Sequence, residues 1–579
     1  MYRILFVLAL VVVLGLSGSA ANLFDRAAAF EVSSRPLKSD APTIRLHENL
    51  GDHHHPISTQ SDLAQSYFDQ GLTLAYGFNH AQAAGSFQQA AKLDPNCAMC
   101  YWGTAFVLGP NINAPMADDV VPEAWQALQR AIGLSENASA QEQAYIQALA
   151  QRYSSAPIAD RHSLDVAYAN AMRQVAQRYP DDLDAVTLFA EALMNTTPWN
   201  YWAANGDSKP ETVEVLTALE SVLERDPNHP GANHLYIHAV EASPDPDRGL
   251  ASADRLRNLV PGAGHLVHMP SHIYLRVGQY HDASLANERA IAADQAYVTQ
   301  SQAQGLYPAL YFSHNMHFLW YAAMMEGRSA RAINVAYRIA AHMSPEQVRA
   351  VPLLERFRPV PLFALARFGH WDDILAQPQP AADLAYETAI WRYARGLAFA
   401  AQGRLDAALS EAADLDQIAN SEALQALDVD FFYAGTQLDI ARKILAAEIA
   451  GQRGQTDDLI QHLEAAVKRQ DDLPYMEPPY WYYPVRQSLG SALLQANRPE
   501  EAELVFRQDL EQAPDNGWSL FGLIQSLLAQ GKVEEGQTVQ AKFEDAWKYA
   551  DAPLTPSRFL SLELNHLSSK TLTESRVQT

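Results

Sequence analysis

Residues Ala64 to Pro95 read AQSYFDQGLTLAYGFNHAQAAGSFQQAAKLDP, and their spacing decides the fold. Gly71, Ala83, Phe87, Ala90 and Pro95 stand at the small, small, aromatic, small and proline positions of a helix-turn-helix repeat of about 34 residues. Small side chains are needed where two antiparallel helices cross closely, and proline stops the second helix because it has no amide hydrogen to continue it. The same frame returns at Ser271, Gly278, Tyr280, Ala283 and Ala290, and again at Trp320, Gly327, Ala332 and Ala336. It recurs at Gly396, Gly403, Ala408 and Ala412, then at Gly490, Ala502, Phe506 and Pro514, with weaker copies ending at Pro180, Pro227 and Pro261. Strand signals are nearly absent, since few β-branched runs alternate and no hairpin dipeptide joins apolar segments.

A repeat of this length with these positions is a tetratricopeptide repeat (TPR). The expected fold is therefore all-α, with TPR-type hairpins stacked into a right-handed solenoid whose first helices line a concave groove. At 579 residues and 48% hydrophobic content the chain exceeds a single core, which an array accommodates. The frame divides it into a signal peptide (1–21), a flexible segment with a His run (22–60), an N-terminal array with a His-rich groove (61–345), a C-terminal array (346–551) and a tail (552–579). Two stretches interrupt the frame as loops, Leu108 to Glu123 and Thr196 to Pro210, the latter carrying Pro198-Trp199-Asn200-Tyr201-Trp202.

The 42 Lys and Arg against 67 Asp and Glu give a net charge of −25, a field that repels phosphate backbones and argues against nucleic acid as a partner. Arg3, the apolar run Ile4 to Leu16 and the small residues Ser17 to Ala21 have the layout of a cleavable secretory signal. The expectation is export to the periplasm or beyond, cleavage near Ala21 and no membrane span afterwards, because no later segment approaches the roughly 20 apolar residues a span needs.

Several strings resemble one group of proteins. Gly77-Phe78-Asn79-His80, Tyr101-Trp102-Gly103, Gly109-Pro110-Asn111-Ile112-Asn113, Asn233 to Glu241 (NHLYIHAVE) and His268 to Tyr274 (HMPSHIY) are similar to those of exported, His-rich bacterial TPR proteins. The resemblance covers about Leu50 to about Ala340. It implies the fold and supplies no activity.

The chemistry in the sequence is a stripe of imidazoles. In the repeat frame the second, fifth, ninth and twelfth positions of each first helix face the groove, three or four residues apart. These positions hold His234, His238 and Glu241 on one helix, His265, His268 and His272 on the next, and His314 and His317, followed by Tyr321 and Met324, on the third. The preceding repeat offers Asp184, Glu191 and Met194 there. With adjacent first helices about 10 Å apart, His234, His268 and His317 would form one row and His238 beside His272 a second. Imidazole pairs three or four residues apart are a usual way to hold a transition ion, and this set suits Cu, Zn, Ni or Fe rather than Ca or Mg. His234, His238, His268 and His272 are the expected ligands, with His265, His314, His317 and Glu241 as further ligands or supporting partners. The competing reading is a groove whose histidines recognise a peptide or carboxylate, which would make the chain a scaffold for a peptide or protein.

Other signals are weaker. The run His53-His54-His55-Pro56 is expected to be solvated and flexible, the alternative being that it folds into the groove and adds a ligand. His80 is expected at the C-terminal end of its helix, where a cation suits the dipole. His229, His281 and His370 fall near turns and carry no assigned role. Cys97 and Cys100 are the only cysteines. They admit a local disulfide, free or soft-metal-binding thiols, or redox work, whereas the absence of a following His excludes haem attachment and the absence of a second pair excludes a four-Cys zinc site. The aromatic run from Tyr475 to Tyr483 reads as a turn packed on the solenoid edge. No nucleophile elbow, phosphate-binding loop, HExxH or dinucleotide fingerprint occurs, so whether the chain is an enzyme stays open.

Overall fold

The structure is a computed structural model that describes residues 44–203, 205–301, 310–429 and 431–554. The expected signal sequence, residues 22–43 of the segment after it and residues 555–579 of the tail lie outside the described residues. Two compact units divide between Leu319 and Trp320, whereas the repeat frame places the division after residue 345.

In the first unit the helices are α1 (Asp62–Tyr76), α2 (His80–Leu93), α3 (Ala98–Val107), α4 (Val121–Leu134), α5 (Ala140–Leu149), α6 (His162–Arg178) and α7 (Leu183–Met194). They continue with α8 (Pro210–Arg225), α9 (Pro230–Val240), α10 (Leu250–Leu259), α11 (Gly264–His268), α12 (Pro270–Arg276), α13 (Tyr280–Ser301) and α14, which starts at Phe312. Consecutive helices pack in pairs, and the described residues contain no strand, only isolated bridges inside the two interrupting loops. The fold is thus all-α, built of TPR-type hairpins.

The small and aromatic positions of the frame explain the stacking. Phe87 of α2 lies between Gly71 of α1 and Gly103 of α3, where an added Cβ would stand 2.7 and 2.4 Å from its ring. The second unit repeats the device with Phe506 between Gly490 and Gly522, at 2.5 and 2.2 Å. Seven residues after each crossing position the chain turns through the left-handed region, with φ of +81° at Gly278, +72° at Gly327 and +69° at Gly403. In the first repeat that position is Phe78, at φ +54°. A side chain there costs about 1–2 kcal/mol, so Phe78 is held in place by its surroundings.

The first unit closes on itself. The C-terminal end of α1 packs on α9, with Gly231 so close to the Tyr76 ring that a Cβ would come within 2.4 Å. The segment before α1 follows, with the Gly262 amide donating to the Asn49 carbonyl at 2.7 Å. The face that the repeat frame presents as a groove is therefore filled by the first hairpin.

Three local expectations change. His80 opens α2 instead of ending α1, and burial together with the Arg152 charge pulls its imidazole down to about 4, so it is neutral and not a helix-capping cation. The turn at Tyr475 to Tyr483 sends Trp481 and Tyr482 into the second unit's core against Phe363 and Tyr393, where the edge was expected. The His53–His55 segment is packed down, as described below. Cys97 and Cys100 form a disulfide at the start of α3.

Candidate metal centre

Four helices bring six imidazoles together in the first unit. α9 supplies His234 and His238, α11 supplies His265 and His268, α12 supplies His272 and α14 supplies His314. Within His234, His238 and His265 the ligand atoms lie within 4.8 Å of one another, and the same holds for His268, His272 and His314. Of the expected rows, His238 does stand beside His272, with ring centroids 5.5 Å apart and Glu241 between them, whereas His234, His268 and His317 are not gathered into one group. His317 belongs to neither triad and is half-buried.

Each hydrogen bond fixes a tautomer. His234 Nδ1 lies 2.5 Å from the Tyr76 carbonyl, which only accepts, so Nδ1 carries the proton and Nε2 presents a lone pair. Glu241, which closes α9, accepts from His238 Nδ1 on Oε1 and from His272 Nδ1 on Oε2, both at 2.6 Å. His268 Nδ1 donates to Asn287 Oδ1 at 2.7 Å, while the Asn287 amide nitrogen donates to the Ala283 carbonyl. Among the described residues, four buried imidazole nitrogens have no hydrogen-bond partner: His234 Nε2, His238 Nε2 and both nitrogens of His265. His268 Nε2 and His272 Nε2 face each other at 3.0 Å, each with its proton already committed on Nδ1. With those protons on Nδ1 the contact calls for a further proton or a cation between the two nitrogens, and two imidazoles on one ion stand roughly 2.9–3.4 Å apart when the metal–nitrogen distance is about 2.0–2.1 Å.

The electrostatics match. Burial, followed by the neighbouring imidazoles, pulls His234, His265 and His268 well below the usual imidazole range. His238 is lowered by burial despite its bond to Glu241. Burial opposes ionisation of Glu241, but the His272 charge and the hydrogen bonds from His238 and His272 outweigh it and hold the carboxyl well below its ordinary range. At neutral pH His234, His238, His265 and His268 are thereby held unprotonated, the form that ligates metal.

Aromatic rings wall the site. Phe78 stacks on His238 at 6.1 Å and meets His234 at 4.5 Å, and Phe318 stands 4.6 and 4.5 Å from His268 and His272. Trp199, from the second interrupting loop, meets His238 edge-on at 5.1 Å and sits at φ +59°. The loop around Asn111 reaches His80 at 3.3 Å. The second interruption thus contributes a wall of the site, a role the sequence reading did not give it.

No family model and no curated protein matches this sequence. Solved structures are similar only in coarse outline. The human IFIT1 dimer with m7Gppp-AAAA is 10% identical over 92% of this chain and 96% of its own, at a TM-score of 0.31. Yeast Tom70 is 11% identical over 83% of this chain and 92% of its own, at 0.26, and the TPR domain of P58(IPK) 14% identical over 64% and 98%, at 0.16. At these values none of them bears on what this chain binds.

A second cluster gathers around Asp184 at the start of α7. His53 Nε2 lies 3.0 Å from Oδ1 and His55 Nδ1 2.8 Å from Oδ2, while the Tyr76 hydroxyl donates to Oδ1 at 2.6 Å. His229 Nε2 is 3.2 Å from Oδ1. The run expected to be flexible is held down because Asp184 offers a buried carboxylate to two imidazoles at once. Burial lowers the basicity of His55, but its bond to Asp184 and that carboxylate's charge prevail and raise it to about 9. The sequence signal was the His53-His54-His55 run, and Asp184 stood among the groove positions, but nothing in the repeat frame joined them. Glu191 and Met194 are buried on the same helix, and burial pushes Glu191 up to about 7 against the Arg152 charge.

Proposed function

We propose that this is a metalloprotein whose first unit holds two resident transition ions, one on His234, His238 and His265 and one on His268, His272 and His314. The observation that carries this reading is the set of buried imidazole nitrogens with no hydrogen-bond partner among the described residues, together with the 3.0 Å approach of His268 Nε2 to His272 Nε2. Each unpartnered buried nitrogen costs about 1–3 kcal/mol, and a shared cation removes that cost for several of them at once. An all-imidazole set favours Cu, Zn, Ni or Fe. Glu241 has both oxygens engaged by imidazoles and acts as the orienting carboxylate, not as a ligand or a base.

Burial supports a resident centre over a carrier. His234, His238, His268 and His272 are at most 3% exposed, so release of an ion would require Phe78 and Phe318 to unpack. The same burial weighs against a peptide groove at these positions. Export through the leader at residues 1–21 is part of the proposal, and the Cys97–Cys100 disulfide supports an oxidising compartment. Elemental analysis of the protein purified from its native compartment tests the reading. Two equivalents of one transition metal per chain are expected. Protein that carries none, and takes up none of the four metals after reduction to the apo form, would leave the peptide scaffold as the better account.

A further inference from the structure

We propose that the first unit also holds a small oxyanion, of the size of formate or bicarbonate, on the buried guanidinium of Arg152, with the Tyr168 hydroxyl as a further donor. The site uses none of the imidazoles of the metal centre. Arg152 stands in the turn after α5 and is 1% exposed. Its Nη2 donates to the Pro110 carbonyl at 2.6 Å, while Nε and Nη1 have no hydrogen-bond partner among the described residues. Arginine keeps its proton inside proteins, so a full positive charge stands here out of water. The acidic groups whose charge reaches it are Glu191 and Asp165. Asp165 pairs with Arg161 at 3.7 Å, and Glu191, pushed up to about 7 by burial, is in part protonated at neutral pH. A buried cation without a counter-charge at contact is costly, and an anion bound against it offsets that cost.

The walls fit such a ligand. The Tyr168 ring lies under the guanidinium, with Cζ 4.8 Å from its centroid, and its hydroxyl is buried with no partner among the described residues. The first interrupting loop leaves room beside the charge, since a Cβ at Gly109 would stand 3.0 Å from Nη1 and 2.5 Å from the Tyr153 hydroxyl. Arg152, Tyr168 and Glu191 are all buried, which restricts the occupant to a few heavy atoms. Hydrogen bonds from a guanidinium to an oxyanion are the strong, charge-assisted kind.

The test uses the full mature chain, freed of metal so that no anion is read on an ion. Sodium formate or bicarbonate is titrated at pH 7 and constant ionic strength against gluconate, which is too large to be enclosed. The melting temperature of the parent should rise saturably, by about 5 °C at 100 times Kd. Arg152→Met should lose the response. Tyr168→Phe, which keeps the ring under the guanidinium, should need roughly 2–10 times more anion. If Arg152→Met loses helical signal, the shifted titration of Tyr168→Phe decides. A response to either anion that depends on these residues supports the site, and the lower midpoint identifies the oxyanion that fits. No response to either, or one unchanged in the variants, would mean that water alone meets the guanidinium and would overturn the proposal.

Discussion

Glu241 is the residue on which the buried centre turns. One carboxylate bonds an imidazole in each triad, so a change confined to it reaches both proposed sites. Glu241→Gln keeps the shape, yet its amide nitrogen must face an Nδ1–H, and that histidine loses its orientation. Metal affinity should fall roughly 10–100-fold with the helical signal unchanged, as read by chelator competition. His80 gives a pH signature outside the centre. Its imidazole titrates at about 4 in the folded chain, below the value of about 6.5 expected when unfolded, so unfolding takes up a proton between those pH values. Its contribution is complete above pH 6.5 and is lost as pH falls toward 4. Parent and His80→Gln should have parallel melting curves at pH 7, and the parent should lose about 3 kcal/mol more by pH 4. Equal loss in the two proteins would show that His80 is not the group that titrates.

At the scale of the helix pair, the glycines divide into two kinds. Gly103 has the Phe87 ring where a Cβ would go, whereas Gly133 of α4 has open space. Gly103→Ala should destabilise by about 1–3 kcal/mol, because Phe87 is held on its other side by Gly71 and cannot retreat. Gly133→Ala should stabilise by about 0.5–1 kcal/mol. Chemical denaturation of the two variants reads both signs. The hairpins were legible in the sequence for this reason: crossing and turn positions are local constraints that recur every repeat. The histidines of the centre were legible too, since three- and four-residue spacing puts them on one stripe. Their grouping was not, because it depends on how far each helix is rotated and slid against its neighbour, which spacing within one helix does not set. Nor were the walls: Phe78 sits where the frame asks for glycine, and Trp199 comes from a loop the frame leaves unplaced.

At the scale of the whole first unit, the proposed ions would couple metal binding to folding. Ions that bind only the folded chain raise the melting temperature, by roughly 5–10 °C for an ion at 100 times its Kd. The shift should be present at pH 7 and shrink toward pH 5, because ligation requires unprotonated imidazoles. His238→Ala/His272→Ala should abolish it while leaving the hairpins intact. A variant that kept the full shift would place the ions elsewhere.

The closure of α1 onto α9 also dictates when the centre comes into being. His234 takes its orientation from the carbonyl of Tyr76, 158 positions earlier, and the Phe78 wedge comes from the same turn. Hairpins can form one after another as the chain emerges, each from contacts close in sequence. The centre cannot, because the loop it closes spans most of the unit and its entropy must be met before any ligand pair is rewarded. Metal capture is therefore a late event in folding: a chain truncated before α11 should have helical hairpins and no high-affinity site, and in refolding the spectroscopic signal of a bound ion should lag the recovery of helix.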